Sequence, residues 1–210
     1  VAGQARSERL YGGKTAEQRR AERHEKLLDA AVELFGTVGF AATTIEMLCH
    51  EAGLHPRYFY EQFDTREALL MAVYDRHVET VLAEVVATLD DAPNDPRVRL
   101  ERGLRTFVDA VLADERLARI NYFEMIGVSR ELEARRRAVL RAYADMITAQ
   151  LDAFDPDQRL TVSDPRLGAV ALVGAVDGLI INALANDSPR EEREAIIMTL
   201  LELFGPPEHR

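Results

Sequence analysis

Residues Ala52–Phe63 read AGLHPRYFYEQF, a glycine turn followed by a short segment crowded with rings. Only some of those rings can face a core. With Phe59 at the centre of a buried helix face, Phe63 lies about 40° away at about 100° per residue and packs beside it. Arg57, Tyr58, Tyr60 and Glu61 all fall about 100° or more from that centre. Their side chains therefore look outward, and two of them offer hydroxyls. A short helix whose exposed face holds donors suits the bases and phosphates of a major groove. The plainer alternative is that Tyr58 and Tyr60 pack on neighbouring helices as edge residues.

Upstream and downstream, the apolar period is helical throughout and no useful strand alternation occurs. A first helix is expected from Ala16 to Val38, with Leu27, Ala31, Leu34, Phe35 and Val38 as its buried stripe and Gly39 as its stop. Thr43 and Glu46 have the spacing of a capping box for a second helix, Thr44–Glu51. Ala52-Gly53-Leu54 is a tight turn, and Pro56 suits the first turn of a third helix. Two short helices joined by such a turn are the signature of a helix-turn-helix. Asp64 and Glu67 offer a second cap for a long helix ending near Leu89. After the turn-rich DDAPNDP, helices are expected over 96–113, 115–127 and 130–154. Following a polar loop at 155–164 come two more, Pro165–Asn186 and Pro189–Phe204, each preceded by a capping residue (Asp164, Ser188). The expected fold is all-α with about nine helices. Its domains are a flexible basic leader (1–15), a helix-turn-helix head (16–64) and a helical body (65–204).

Among the 210 residues, 47% hydrophobic and 30% charged, there is one cysteine, so no disulfide can form within the chain. That points to a reducing, cytoplasmic setting. A net charge of −10 argues against non-specific coating of nucleic acid. Residues 1–26 nevertheless hold seven basic and four acidic side chains, net +3, leaving −13 on the rest. Such a start is either a nucleic-acid-facing end or a disordered leader.

The run from Thr43-Thr44-Ile45 to Leu69, with Leu34-Phe35 and Gly39-Phe40 before it, closely resembles the tetracycline-repressor (TetR) family of bacterial regulators. The matching elements are Leu34-Phe35, Gly39-Phe40, Thr43, Ala52-Gly53, Phe59-Tyr60, Phe63 and Arg66-Glu67, within residues 24–72. The resemblance implies that Thr43 and Tyr60 contact phosphates, with Thr44 beside them, and that Arg66 fills the family's basic position. It implies that His55, Pro56, Arg57 and Tyr58 read base edges. His55 stands where a serine or threonine cap is usual, and Arg57 and Tyr58 replace smaller residues. Cys49, where alanine is usual, reads as a packed small residue. The operator therefore cannot be borrowed from a relative.

The resemblance also implies a dimer built from the last two helices. Gly174 and Gly178, four apart, mark a face where another helix can approach closely. Ile181, Ile197, Leu200 and Leu201 supply apolar surface, unless they bury wholly within one chain. As a membrane span, Leu167–Ala185 would place Asp177 near mid-bilayer, at about 2.5–3.5 kcal/mol, so a buried helix and no membrane partner are expected. His77 on the stripe Leu70-Val73-His77-Val81, with Phe107, Tyr122, Phe123, Tyr143, Met146 and Asp177, are the candidates to line an effector pocket; each is equally readable as core. Arg135-Arg136-Arg137 spans too wide an arc for one face and reads as solvent-exposed.

His50-Glu51-Ala52-Gly53-Leu54-His55 only mimics a zinc-protease motif. Its histidines are five apart, about 140° around a helix, and cannot share one ion. No phosphate loop or nucleophile elbow is present, and no catalytic residue, metal or cofactor is expected. The expected protein is a homodimeric DNA-binding regulator, most simply a repressor of a palindromic operator, released by a small, largely apolar effector. The alternative is a helical enzyme or lipid or small-molecule carrier whose helix-turn-helix is only structural.

Overall fold

A computed structural model describes residues 15–154, 164–186 and 188–205; the expected basic leader and most of the 155–164 loop lie outside them. Among the described residues there are helices and no strands. They are α1 (Ala16–Thr37), α2 (Ile45–Glu51), α3 (Pro56–Tyr60), α4 (Arg66–Asp90), α5 (Pro96–Leu112), α6 (Glu115–Arg119), α7 (Arg130–Asp152), α8 (Pro165–Ala185) and α9 (Pro189–Phe204). A π-turn, Ile120–Glu124, continues α6, where the sequence led us to expect one α-helix over 115–127. The chain divides into two compact units between Val73 and Tyr74, inside α4. Leu69, Leu70 and Val73, the apolar start of α4, are fully buried.

In the first unit, Leu27, Ala31 and Phe35 of α1 are fully buried, as are Leu48 of α2 and Phe59 of α3. Thr15 opens α1 with a reciprocal capping box to Gln18. Gly39 ends the helix with φ +93, a left-handed conformation that a β-carbon would strain; its amide reaches back to the Leu34 carbonyl (3.1 Å). The expected caps shift by one residue at both following helices. Thr44, not Thr43, caps α2, accepting from the Met47 amide, because Thr43 is turned into the interior. Thr65, not Asp64, accepts from the Ala68 amide (3.1 Å) at the start of α4.

The second unit is a helical bundle in which α8 packs on α7 and α9, and α9 on α5. Its core joins Val108 and Val111 of α5, Leu172, Val176 and Ile180 of α8, and Ile197 and Leu200 of α9. α8 is long and apolar enough to cross a membrane by composition, and its face Ala169-Leu172-Val176-Ile180-Ala183 is buried in this core. Asp164 caps α8 through the amides of Arg166 and Leu167. Ser188 does not cap α9; its hydroxyl donates to the Glu192 carboxylate instead (2.6 Å).

Candidate functional site

The outward face of α3 is built from three local features. Gly53, at φ +62, lets the chain reverse between α2 and α3, and the Leu54 amide donates to the Cys49 carbonyl (2.8 Å). His55 is the N-cap: its Nδ1 accepts from the Arg57 amide (3.2 Å), the role in which a threonine or serine is usual. Pro56 occupies the first turn, where a missing amide costs nothing. Phe59 is fully buried and Phe63 nearly so, their ring centroids 6.1 Å apart. That anchor turns His55, Pro56, Arg57, Tyr60 and Glu61 to solvent.

Arg57 presents a side chain 74% exposed. Its Nε donates to Glu61 Oε1 (2.9 Å), and Arg23 of α1 lies 3.7 Å from the other carboxylate oxygen. Arg23 also covers the ring of Tyr58 at 4.6 Å, so Tyr58 is half-buried against a cation rather than projecting freely. Tyr60 is 60% exposed. Thr44 is exposed as well; its oxygen caps α2 while its O–H can donate to a phosphate. Arg23, and the pairing of the outward Glu61 with both arginines, were missed by sequence reasoning. A helical-wheel argument on α3 alone cannot see α1 beside it.

Two residues of the expected DNA-binding set, Thr43 and Arg66, are spent inside this unit. Thr43 is completely buried, its hydroxyl donating to the Gly39 carbonyl (2.8 Å). Arg66 Nη1 donates to the carbonyls of Phe40 (3.1 Å) and Thr43, and its guanidinium lies 4.9 Å from the centre of the Phe40 ring. Both tie down the loop between α1 and α2. Neither presents a group to a phosphate, so these two expectations are corrected.

In the second unit, α4, α5, α7 and α8 border a partly open cavity of about 120 Å³, against the 10–15 Å³ or so that one water needs. Its walls are apolar (Val85, Leu89, Leu100, Leu104, Ile147, Leu172 and Val176 among them), and Phe107, Tyr143, Met146 and Asp177 line it too. Arg99 stands at one end, its guanidinium held by Gln150 Oε1 (2.6 Å from Nη2) and by the Ala92 carbonyl (3.2 Å from Nη1). A smaller cavity of about 30 Å³ shares Phe107, Tyr143 and Asp177 with the first and is also lined by His77 and Tyr122. Of the seven expected pocket residues only Phe123 lines neither. It packs half-buried against the core, with Arg119 5.9 Å away, because the π-turn places Tyr122, not Phe123, inward.

Asp177 centres the polar part of these walls. Arg136 Nη2 donates to it at 2.9 Å, so the expectation that the arginine run faces solvent fails at its middle member. Burial pushes the Asp177 carboxyl above its usual range, while Arg136 and a hydrogen bond from Tyr122 oppose that shift. Burial likewise raises the phenol of Tyr143 to about 12 and that of Tyr122 well above its ordinary value, so both remain O–H donors. His77 is 7% exposed; burial lowers its pKa, with the Asp114 carboxylate opposing.

A third surface runs along α8 and α9. Leu167, Val170, Met198 and Leu203 are exposed apolar side chains. A β-carbon built on Gly174 or Gly178 would meet nothing within 4 Å, so within one chain these glycines face open space. Ile181 is half-buried beside them. Ile197, Leu200 and Leu201 are instead buried in their own core and have no surface to offer a partner. That part of the expected interface is corrected; the exposed apolar side chains of α9 are Met198 and Leu203. Among the described residues no cluster of histidine, cysteine or acidic side chains could hold a metal ion.

The sequence profile of "Bacterial regulatory proteins, tetR family" matches residues 27–73, the span holding the α2–α3 face. The HTH-type transcriptional activator FasR of Mycolicibacterium smegmatis is 26% identical over 190 residues, covering 90% of this chain and 85% of that protein. Among solved structures, the fatty acid degradation regulator FadR from Bacillus halodurans superimposes with a TM-score of 0.75 at 19% identity, covering 90% of this chain and 97% of the other. AibR, in complex with isovaleryl coenzyme A and operator DNA, gives 0.70 at 20% identity, covering 88% and 100%. These likenesses establish a common fold.

Proposed function

Because this chain belongs to the tetR family of bacterial regulatory proteins and binds DNA as a transcription regulator, we propose that its operator affinity is set by a small, largely apolar effector held in the α5–α7–α8 cavity. The carrying observation is that one chain combines an α3 face of outward donors with an apolar cavity in a separate unit. Tyr60 and Thr44 are assigned to phosphates, Arg57 to a base edge, and His55 and Pro56 to the entry of α3 into the groove. AibR was crystallised with both an acyl-coenzyme A and its operator, which supports the same pairing of partners here.

The working unit is a cytoplasmic homodimer joined through the exposed α8–α9 face, with no catalytic role. Effector binding favours one arrangement of the two heads, and operator affinity falls by the ratio of its affinities for the two arrangements. Repression is the proposed sign, although the relative FasR is named an activator.

Selection of bound sequences from a random DNA pool tests this reading. A saturable, near-palindromic consensus is expected, with half-sites about 34–36 Å apart or a multiple of that. A protein whose helix-turn-helix is only structural would enrich no sequence. In vitro transcription from a selected site then reads the sign, and stimulation by the protein would reverse it.

A further inference from the structure

The smaller cavity holds two buried polar atoms without a partner, His77 Nε2 and Asn121 Oδ1. An unpaired buried polar atom costs about 1–3 kcal/mol, so two of them on residues that line one cavity favour an occupant able to reach them. His77 lies on α4 and Asn121 in the π-turn; its i→i+5 winding is a device often found at functional positions. Phe107 and Tyr143, packed edge to face with centroids 5.4 Å apart, line both this annex and the larger cavity, as does Asp177. The annex thus adjoins the larger cavity at these three side chains. The larger cavity follows α5 from Arg99 to Phe107, about 12 Å of helix at 1.5 Å per residue, a length suited to an extended chain.

The chemistry of the annex selects the end group. Arg136 and Asp177 already neutralise each other at 2.9 Å, so an ammonium or carboxylate end would bring an uncompensated buried charge. Burial also favours the neutral imidazole of His77. One orphan is an acceptor, the Asn121 carbonyl oxygen; the other, a neutral imidazole nitrogen, either donates or accepts according to tautomer. A hydroxyl is both donor and acceptor, and it matches the pair when Nε2 carries the imidazole proton: its O–H donates to Asn121 Oδ1 and its oxygen accepts from His77 Nε2–H. At about 30 Å³ the annex has room for such a group, or for about two waters.

Resting on the effector reading above, we propose that the annex recognises a neutral hydroxyl at the inner end of the effector: a hydroxyl-terminated alkyl chain whose O–H donates to Asn121 Oδ1 and whose oxygen meets His77 Nε2, with the chain lying along α5.

The test is calorimetric titration of the full chain with 1-octanol and with its isomer heptyl methyl ether, which has the same atoms but no donor. The alcohol should bind about tenfold more tightly, the worth of one net hydrogen bond at the upper end of the usual range. In Asn121→Leu, and in the smaller Asn121→Ala should the first fold poorly by its melting curve, the alcohol should fall to the affinity of the ether. The ether itself should change less than about threefold. Equal binding of the isomers to the unmodified protein, or a preference that survives both substitutions, overturns the annex while leaving the larger cavity as an effector site. Failure of both isomers to bind overturns the annex and removes the support for an alkyl-chain effector together.

Discussion

Arg57 and Glu61 face each other across the end of α3, with Nε donating to Oε1 at 2.9 Å. The carboxylate puts a negative charge on a surface meant for phosphates, and Arg57 and Arg23 both offset it. Its benefit is geometric: it holds a 74% exposed guanidinium at a fixed angle before any groove is met. Arg57→Ala should weaken operator binding by about 1–3 kcal/mol per half-site and relax the preference at one base position. Glu61→Gln should strengthen binding to unrelated DNA while lowering the operator-to-unrelated ratio. Gel shifts on both DNAs read the pair, and uniform weakening by Arg57→Ala would reassign that residue to a phosphate.

Tyr60→Phe removes one exposed hydroxyl and leaves the anchor rings untouched. Affinity for operator and for unrelated DNA should fall in similar proportion, with an unaltered melting temperature. A changed consensus sequence would count against a phosphate role.

Arg66 and Thr43 are expected to act on stability and not directly on DNA. Arg66→Ala removes the side-chain donor from the Thr43 carbonyl and leaves the Phe40 carbonyl only the Thr43 amide, and should cost about 1–3 kcal/mol in denaturant unfolding. Thr43→Val should cost a similar amount by the same reasoning. If either variant keeps full stability yet loses DNA affinity, the assignment to the α1–α2 loop is wrong.

The buried imidazole of His77 gives a pH signature. Its folded pKa lies below the ordinary value of 6.5, so its contribution is intact above that value. As pH falls through 6.5 toward the folded pKa the unfolded chain takes up a proton that the native state resists, and stability is lost. His77→Leu should flatten the decline in melting temperature below pH 7. A slope identical to that of the unmodified protein would show that His77 titrates as freely folded as unfolded.

Gly174 and Gly178 allow a clean test of the dimer, because a β-carbon at either meets nothing within 4 Å in its own chain. The double substitution should therefore keep its helical circular dichroism and its melting behaviour as a monomer. Sedimentation should fall to the single-chain value, and operator affinity should drop steeply as the linkage between two heads is lost. A double variant that stays dimeric and binds normally would place the interface elsewhere.

Much of the head was legible because it depends on spacing alone. The Phe59–Phe63 anchor, the Gly53 reversal and the Gly39 stop follow from helix period and from which residue tolerates positive φ. The choice between Thr43 and Thr44 was not legible. Both hydroxyls are suitable, and the one that caps is decided by where Phe40 and Arg66 pin the loop, a contact spanning 23 residues. In the body, Arg136 read as solvent-facing because the charge that draws it inward, Asp177, lies 41 positions away. Ile197, Leu200 and Leu201 were indistinguishable by sequence from an interface, since an apolar stripe does not say which neighbour covers it. The π-turn has no sequence signature at all here, yet it decides that Tyr122 and not Phe123 faces the cavity.

Cys49 is 2% exposed, and burial, with the Glu46 carboxylate adding to it, pushes its thiol above the ordinary value. As the chain's sole cysteine, it leaves the native protein nearly silent to maleimide and methanethiosulfonate reagents. One added thiol at an exposed position such as Ala42 would then be the only site labelled. In an assembly of two chains, a spin label there becomes a molecular ruler from head to head. Dipolar spectroscopy could follow that separation as an alcohol is titrated in, with no cysteine-free background to engineer first.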